Sequence, residues 1–134
     1  MTDWNTAIIE EFRQNDGRVG GPFEGAPLLL LHSTGAKTGR QRVNPMMYQA
    51  VGDAFAVCAS KAGAPTPPSW YHNLVANPDA SVEVGTEHFA VRARVLDPAE
   101  REPIWTKQKA DYTAFAGYEQ KTDRIIPVVM LDPA

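Results

Sequence analysis

The chain has 134 residues, of which 43% are apolar and 22% charged, so it is sized for one domain with a real core. Its net charge of −3 excludes a surface basic enough to bind nucleic acid across the whole molecule. A single cysteine, Cys58, excludes an internal disulfide, and no apolar run approaches the ~18 residues that a membrane span requires.

The first residues lack the charged-then-apolar order of a signal peptide, so a cytoplasmic, reducing location is expected. Trp4, Ala7, Ile8 and Phe12 recur at helical spacing and predict an amphipathic helix ending near Asn15. Its ionic residues, Glu10, Glu11 and Arg13, do not suit anionic lipid, so the apolar stripe is expected to pack on the body of the domain. Residues 16–27 are rich in glycine and proline and read as a loop. Leu28 to Ser33 reads as a buried strand. A basic turn follows, then a second strand from Arg42 to Gln49, which Pro45 should push to a sheet edge or a bulge. Gly52-Asp53 marks a turn before a third strand, Ala54 to Ser60, where Cys58 reads as a small buried hydrophobe.

Lys61 to Pro68 is a glycine- and proline-rich connection. Trp70 to Ala76 then predicts one or two helical turns, opened by Pro68-Ser69 and closed by Asn77-Pro78. Val82 and Val84 alternate with Ser81 and Glu83. Gly85-Thr86 suits a two-residue hairpin turn. Beyond it Phe89, Val91, Ala93 and Val95 form one face, expected to be buried, against His88, Ala90, Arg92 and Arg94. Pro98 to about Lys109 reads as a helix, Asp111 to Tyr118 as a second short one, and Ile125 to Leu131 as a last strand. Short hairpins without regular strand–helix–strand alternation predict an α+β protein with an antiparallel, barrel-like sheet and flanking helices.

The charge is unevenly spread. Across residues 26–78, Lys37, Arg40, Arg42 and Lys61 meet one acid, Asp53. Gly35-Ala-Lys-Thr-Gly-Arg40 is not a nucleotide P-loop, because the order of its glycines and lysine is wrong and a strand follows it. What it offers is exposed backbone amides, a lysine point charge and two forked guanidinium groups. Arg40 and Arg42, two apart, would share one side of an extended strand. The turn is therefore either an anion site or solubilising charge on an exposed hairpin. Lys61, at the end of a strand, extends the same pattern. Trp70, Tyr71 and Asn73 offer flat and polar surfaces, although Trp70 and Leu74, four apart, also suit docking on the core. Tyr112, Phe115 and Tyr118 recur every three residues and would line one side of a helix, as core or as the wall of a pocket. His32, His72 and His88 have no metal-ligand spacing, so no metal is expected.

Read together, the segments Leu28–Leu31, Thr34-Gly-Ala-Lys-Thr-Gly-Arg-Gln-Arg-Val-Asn-Pro-Met-Met-Tyr48, Ala59-Ser-Lys-Ala-Gly-Ala-Pro65, Pro68-Ser-Trp-Tyr-His-Asn-Leu74 and Thr122-Asp-Arg-Ile-Ile-Pro-Val-Val129 resemble the deazaflavin-dependent nitroreductase family. The resemblance runs from about Asn5 to the end. It implies a split β-barrel related to flavin-binding barrels, a single deazaflavin-binding domain over residues 1–134, and coenzyme F420 as cofactor. The implied chemistry is hydride transfer from reduced F420 to a small electron-poor acceptor such as a quinone, an enone or a nitro compound. Lys37, Thr38, Arg42 and Lys61 would hold the coenzyme's anionic part, with Arg40 a weaker candidate. Val43, Asn44, Pro45, Met46 and Met47 would line its ring region. Ala59 and Ser60 would meet the ring from the third strand, and Ser69, Trp70, Tyr71 and Asn73 would close the other side. Tyr112 would border cofactor and substrate, and Ser60, Tyr112, Tyr118 or a water would supply the proton. The expected partners are a small molecule and, as in other barrels of this kind, a second copy; neither nucleic acid nor stable membrane insertion is expected. Two other readings stay open: a non-catalytic carrier of F420 or a fatty acid, and an FMN enzyme on the same barrel, for which the basic turn is a poorer match.

Overall fold

The computed structural model describes residues 4–17, 27–59, 68–122 and 125–134. Helix α1 (Trp4–Gln14) is followed by strands β1 (Leu28–Thr34), β2 (Gln41–Met47), β3 (Gln49–Val51) and β4 (Ala54–Cys58). Helix α2 (Ser69–Ala76), strands β5 (Asp79–Val84) and β6 (Glu87–Val95), helices α3 (Pro98–Asp111) and α4 (Ala114–Gln120), and strand β7 (Val128–Pro133) complete the order. The strands form one antiparallel sheet in the order β2-β1-β5-β6-β7-β4-β3. Its two edge strands, β2 and β3, are separated in sequence by Tyr48 alone. A one-residue connection can join opposite edges only if the sheet curls enough to bring those edges together at that end, which makes it a half-barrel.

The strand expected over Arg42 to Gln49 is therefore two strands on opposite edges, broken where the Tyr48 amide donates to the Pro27 carbonyl at 3.2 Å. Pro45 lies on the edge strand β2, where its missing N–H costs no ladder bond. The hairpin at Gly85-Thr86 forms as read, with Val84 paired to Glu87 and Gly85 at a φ of 60°. Val95 departs from the alternation: it stands at the open end of β6 with 47% exposure, beyond the reach of the core. The last strand begins at Val128, not Ile125. Ile125 is 77% exposed, and Pro127 instead accepts the Ala59 amide at 2.9 Å.

Three apolar clusters use the two faces of this sheet. The inner face gathers Leu29, Leu31, Val57, Val82, Val91, Val129 and Leu131, closed by Leu74 from α2. On the outer face, α1 sets Ile8 and Phe12 on Leu28 and Leu30, and α3 with α4 sets Ile104 and Trp105 on Ala54, Ala56, Val128 and Met130. The run Leu28–Leu31 is unbroken by polar residues because β1 is covered on both sides. Helix α3 starts where Pro98 occupies its first turn and the Asp97 side chain accepts the Glu100 amide at 2.8 Å.

Helix α1 is also pinned by charge. The Arg13 guanidinium donates to Glu83 of β5 at 2.7 Å, and His32 of β1 meets the same carboxylate oxygen at 2.6 Å. The hydrogen bond from Arg13, reinforced by His32, lowers the Glu83 carboxyl to about 2 against the cost of its desolvation.

Candidate functional site

The basic segment between β1 and β2 folds into a compact turn. The Gly35 amide donates to the Arg40 carbonyl at 2.8 Å, and Gly39, at a φ of 68°, returns its amide to Gly35 at 2.9 Å. Thr38 is drawn inward, its hydroxyl accepting the Arg40 amide at 3.2 Å. A Cβ at position 35 would stand 2.7 Å from that hydroxyl and 3.3 Å from the Arg40 carbonyl, so a side chain there would force Thr38 to turn away. Helix α2 ties the turn to the barrel: the buried Asn73 side chain accepts the Ala36 amide at 3.0 Å.

Between turn and helix lies an open cleft of about 540 Å³, lined by Gly35, Ala36, Lys37, Thr38, Arg42, Asn44, Ser69, His72 and Asn73. Among the described residues, two cations contribute to that lining and no carboxylate does. The cations of α1, β6 and α3 behave differently. Arg13, Arg92, Arg94, Arg101, Lys107 and Lys109 all have carboxylate partners, whereas Lys37, Arg40 and Arg42 have none among the described residues. Ser69 is the first residue of α2, and among the described residues no side chain caps that helix, so its positive end adds to the same field. The cleft thus brings together the Thr38 and Ser69 hydroxyls, the Asn44 amide and two cations.

The structure sorts the residues expected from the sequence. Lys37, Thr38, Arg42, Asn44, Ser69 and Asn73 line the cleft together. The run 42–47 is divided by the two-residue period of β2. Arg42, Asn44 and Met46 share the inner face with Ser33, Leu31 and Leu29, while Val43, Pro45 and Met47 share the outer face with His32, Leu30 and Leu28. Val43 and Met47 pack beneath α1 there, so their side chains turn away from the cleft. Arg40 precedes β2 and belongs to the turn, so it does not share a strand face with Arg42.

Met46, Trp70 and Tyr71 pack on the inner core as its partly buried rim. Tyr71 also lines a second, apolar groove of about 190 Å³ with Leu74, Val75, Val95 and Val129. Ala59 is fully buried. Ser60 and Lys61 lie outside the described residues. The three-residue aromatic stripe does not form: Tyr112 caps the C-terminus of α3, and Phe115 and Tyr118 pack edge to face on α4 in the outer layer around Trp105. Neither Tyr112 nor Tyr118 lines the cleft. Cys58 packs against that outer cluster as well, and its burial pushes the thiol up to about 12, so it remains protonated.

Sequence reading missed three lining residues, Gly35, Ala36 and His72. The signal for His72 was present: Ser69, His72 and Asn73 stand at i, i+3 and i+4 on one face of α2.

Comparison with known proteins adds four findings. A family model described as F420H(2)-dependent quinone reductase matches residues 4–133. An F420H(2)-dependent quinone reductase of Mycobacterium tuberculosis is 41% identical over 124 residues, 90% of this chain and 83% of that protein. A solved F420-H2 dependent reductase is 41% identical with a TM-score of 0.72, over 79% of this chain and 94% of that one. A structure described as a domain-swapped dimer is 39% identical with a TM-score of 0.74, over 95% and 93%.

Proposed function

The chain belongs to the F420H(2)-dependent quinone reductase family, and from that premise we propose that the cleft between the β1–β2 turn and α2 holds the anionic part of its coenzyme. The protein is an F420-dependent reductase, and reduced F420 is its cofactor. The observation that carries the reading is the cleft's composition: Lys37, Arg42, Thr38 and Ser69 converge on a cavity that no carboxylate lines among the described residues. F420 carries a phosphodiester and a glutamate tail, and forked or point cations with hydroxyls and amides are the donor set such a group needs.

In this reading reduced deazaflavin, when bound, would be the source of a hydride for a small electron-poor acceptor, a quinone first and enones or nitro compounds by the same chemistry. The chain's own contribution is placement. Lys37 and Arg42 grip the anion, Thr38 and Ser69 offer hydroxyls, and Asn44 presents its amide from the barrel wall. Trp70, Tyr71 and Met46 stiffen the inner rim behind them. Holding donor and acceptor in register is worth up to ~7–11 kcal/mol in well-oriented systems. Ser60 and Lys61, which follow Cys58 and Ala59 at the end of β4, would extend the grip toward the ring. Ser60, Tyr112 or a water would deliver the proton; Tyr118, packed in the outer layer, is the poorer donor. The whole chain then works as one split-barrel domain of the flavin-binding kind, and a paired assembly is supported by the domain-swapped relative.

The test is a fluorescence titration with oxidised F420 and with FMN, followed by oxidation of F420H2 with a quinone panel. Lys37→Ala together with Arg42→Ala is expected to weaken F420 by ~2 kcal/mol, about thirtyfold. Unchanged affinity would remove the cleft from cofactor binding. Stoichiometric F420 binding without acceptor-dependent oxidation would favour the carrier reading, and preference for FMN would favour the flavin one.

A further inference from the structure

We propose that His72 is a third, proton-gated cation of this cleft, so that the protein holds its anionic coenzyme more tightly when the imidazole is charged. The inference rests on the cleft reading above and adds a residue and a regulation to it. His72 lies on the α2 face that lines the cleft, with Ser69 and Asn73, and is joined there by Lys37 from the turn and Arg42 from β2. Its ring is exposed and meets Tyr71 edge-on at 5.6 Å. Among the described residues that line the cleft with it, the charged groups are Lys37 and Arg42, and none is an acid.

A neutral imidazole offers one N–H and no charge, whereas the imidazolium offers two N–H donors and a full positive charge. Imidazole is also the side chain that ordinarily changes charge between pH 5 and 8. An anion seated among Lys37, Arg42 and His72 favours the imidazolium, so binding draws a proton onto the ring. By linkage, coenzyme affinity must then fall as pH rises.

The experiment compares the F420 dissociation constant between about pH 5.5 and 8.5 for the wild type, His72→Gln and His72→Arg. The wild type is expected to bind about three- to tenfold more weakly at the alkaline end. His72→Gln should show a shallower profile lying near the wild type's alkaline affinity, and His72→Arg a shallower one near its acidic affinity. Any titration of the coenzyme itself is common to all three proteins and cancels in the comparison. Parallel profiles in the three proteins would overturn the role of His72, while a loss of affinity in the Lys37→Ala, Arg42→Ala variant would still uphold the cleft. Indifference of that variant would remove the cleft reading and this inference with it.

Discussion

Asn73 is buried between the basic turn and α2, and its side-chain oxygen is taken up by the Ala36 amide. It therefore supports the cleft by positioning the turn more than by offering that oxygen to a ligand. Asn73→Ala would leave the Ala36 amide without its acceptor. The expected costs are ~1–2 kcal/mol of stability, read by urea denaturation, and a several-fold weaker grip on F420. Asn73→Asp keeps an acceptor oxygen and should recover most of the stability while adding an unfavourable charge to the site. Glu83 shows the same economy at the α1 contact. Its carboxyl lies at about 2 in the folded protein against an ordinary value of 4.5. A lowered carboxylate stabilises the fold above its unfolded value and loses that contribution as pH falls toward 2. Melting the wild type and Glu83→Gln between pH 6 and 2 should show the wild type losing the larger share, on the order of 1 kcal/mol for a pair that stays partly solvated. Equal losses would place the acid sensitivity elsewhere.

Among the elements, α1 and α2 do different work on the same sheet. Helix α1 covers the outer face of β1 and β2 through Phe12, which is 1% exposed, and so holds the strands that carry Arg42 and Asn44. Phe12→Ala should cost ~3–5 kcal/mol in chemical denaturation, because the cavity opens between helix and sheet where neither can collapse. A loss below 1 kcal/mol would mean that α1 is not integral to the fold. Helix α2 is split lengthwise. Leu74 enters the inner core, and Ser69, His72 and Asn73 face the cleft. The period of eight residues from Ser69 to Ala76 shows both faces once the core side is known. For β2 the period of two likewise divides Arg42 and Asn44 from Val43 and Met47. That division could have been written from the alternation rule, but a run of matching residues obscured it.

At the scale of the molecule, the curled sheet and its two covering layers leave Cys58 with its thiol raised to about 12 by burial. Alkylation at pH 8 should therefore be about a thousandfold slower than for an ordinary thiol and should speed up when denaturant opens the fold. Fast alkylation in native buffer would contradict the packing of α3 and α4 on β4.

The sequence by itself determined the elements whose signals are local. These are the Gly85-Thr86 hairpin, an edge or a bulge at Pro45, the start of α3 at Pro98, and a buried strand from Leu28. Its residues pointed to Lys37, Arg42 and Asn73, and its family resemblance added Thr38, Asn44 and Ser69, all of which line the cleft. Only the tertiary structure decided that the strand after the turn breaks at Tyr48, that Val43 and Met47 belong to the outer layer, and that Tyr118 packs against Trp105 and Phe115 away from the cleft. Turns, caps and alternation are settled by neighbours in the chain. Which face of a strand meets a helix, and which aromatic residue reaches a cavity, depends on partners from other elements, brought together only when the sheet curls.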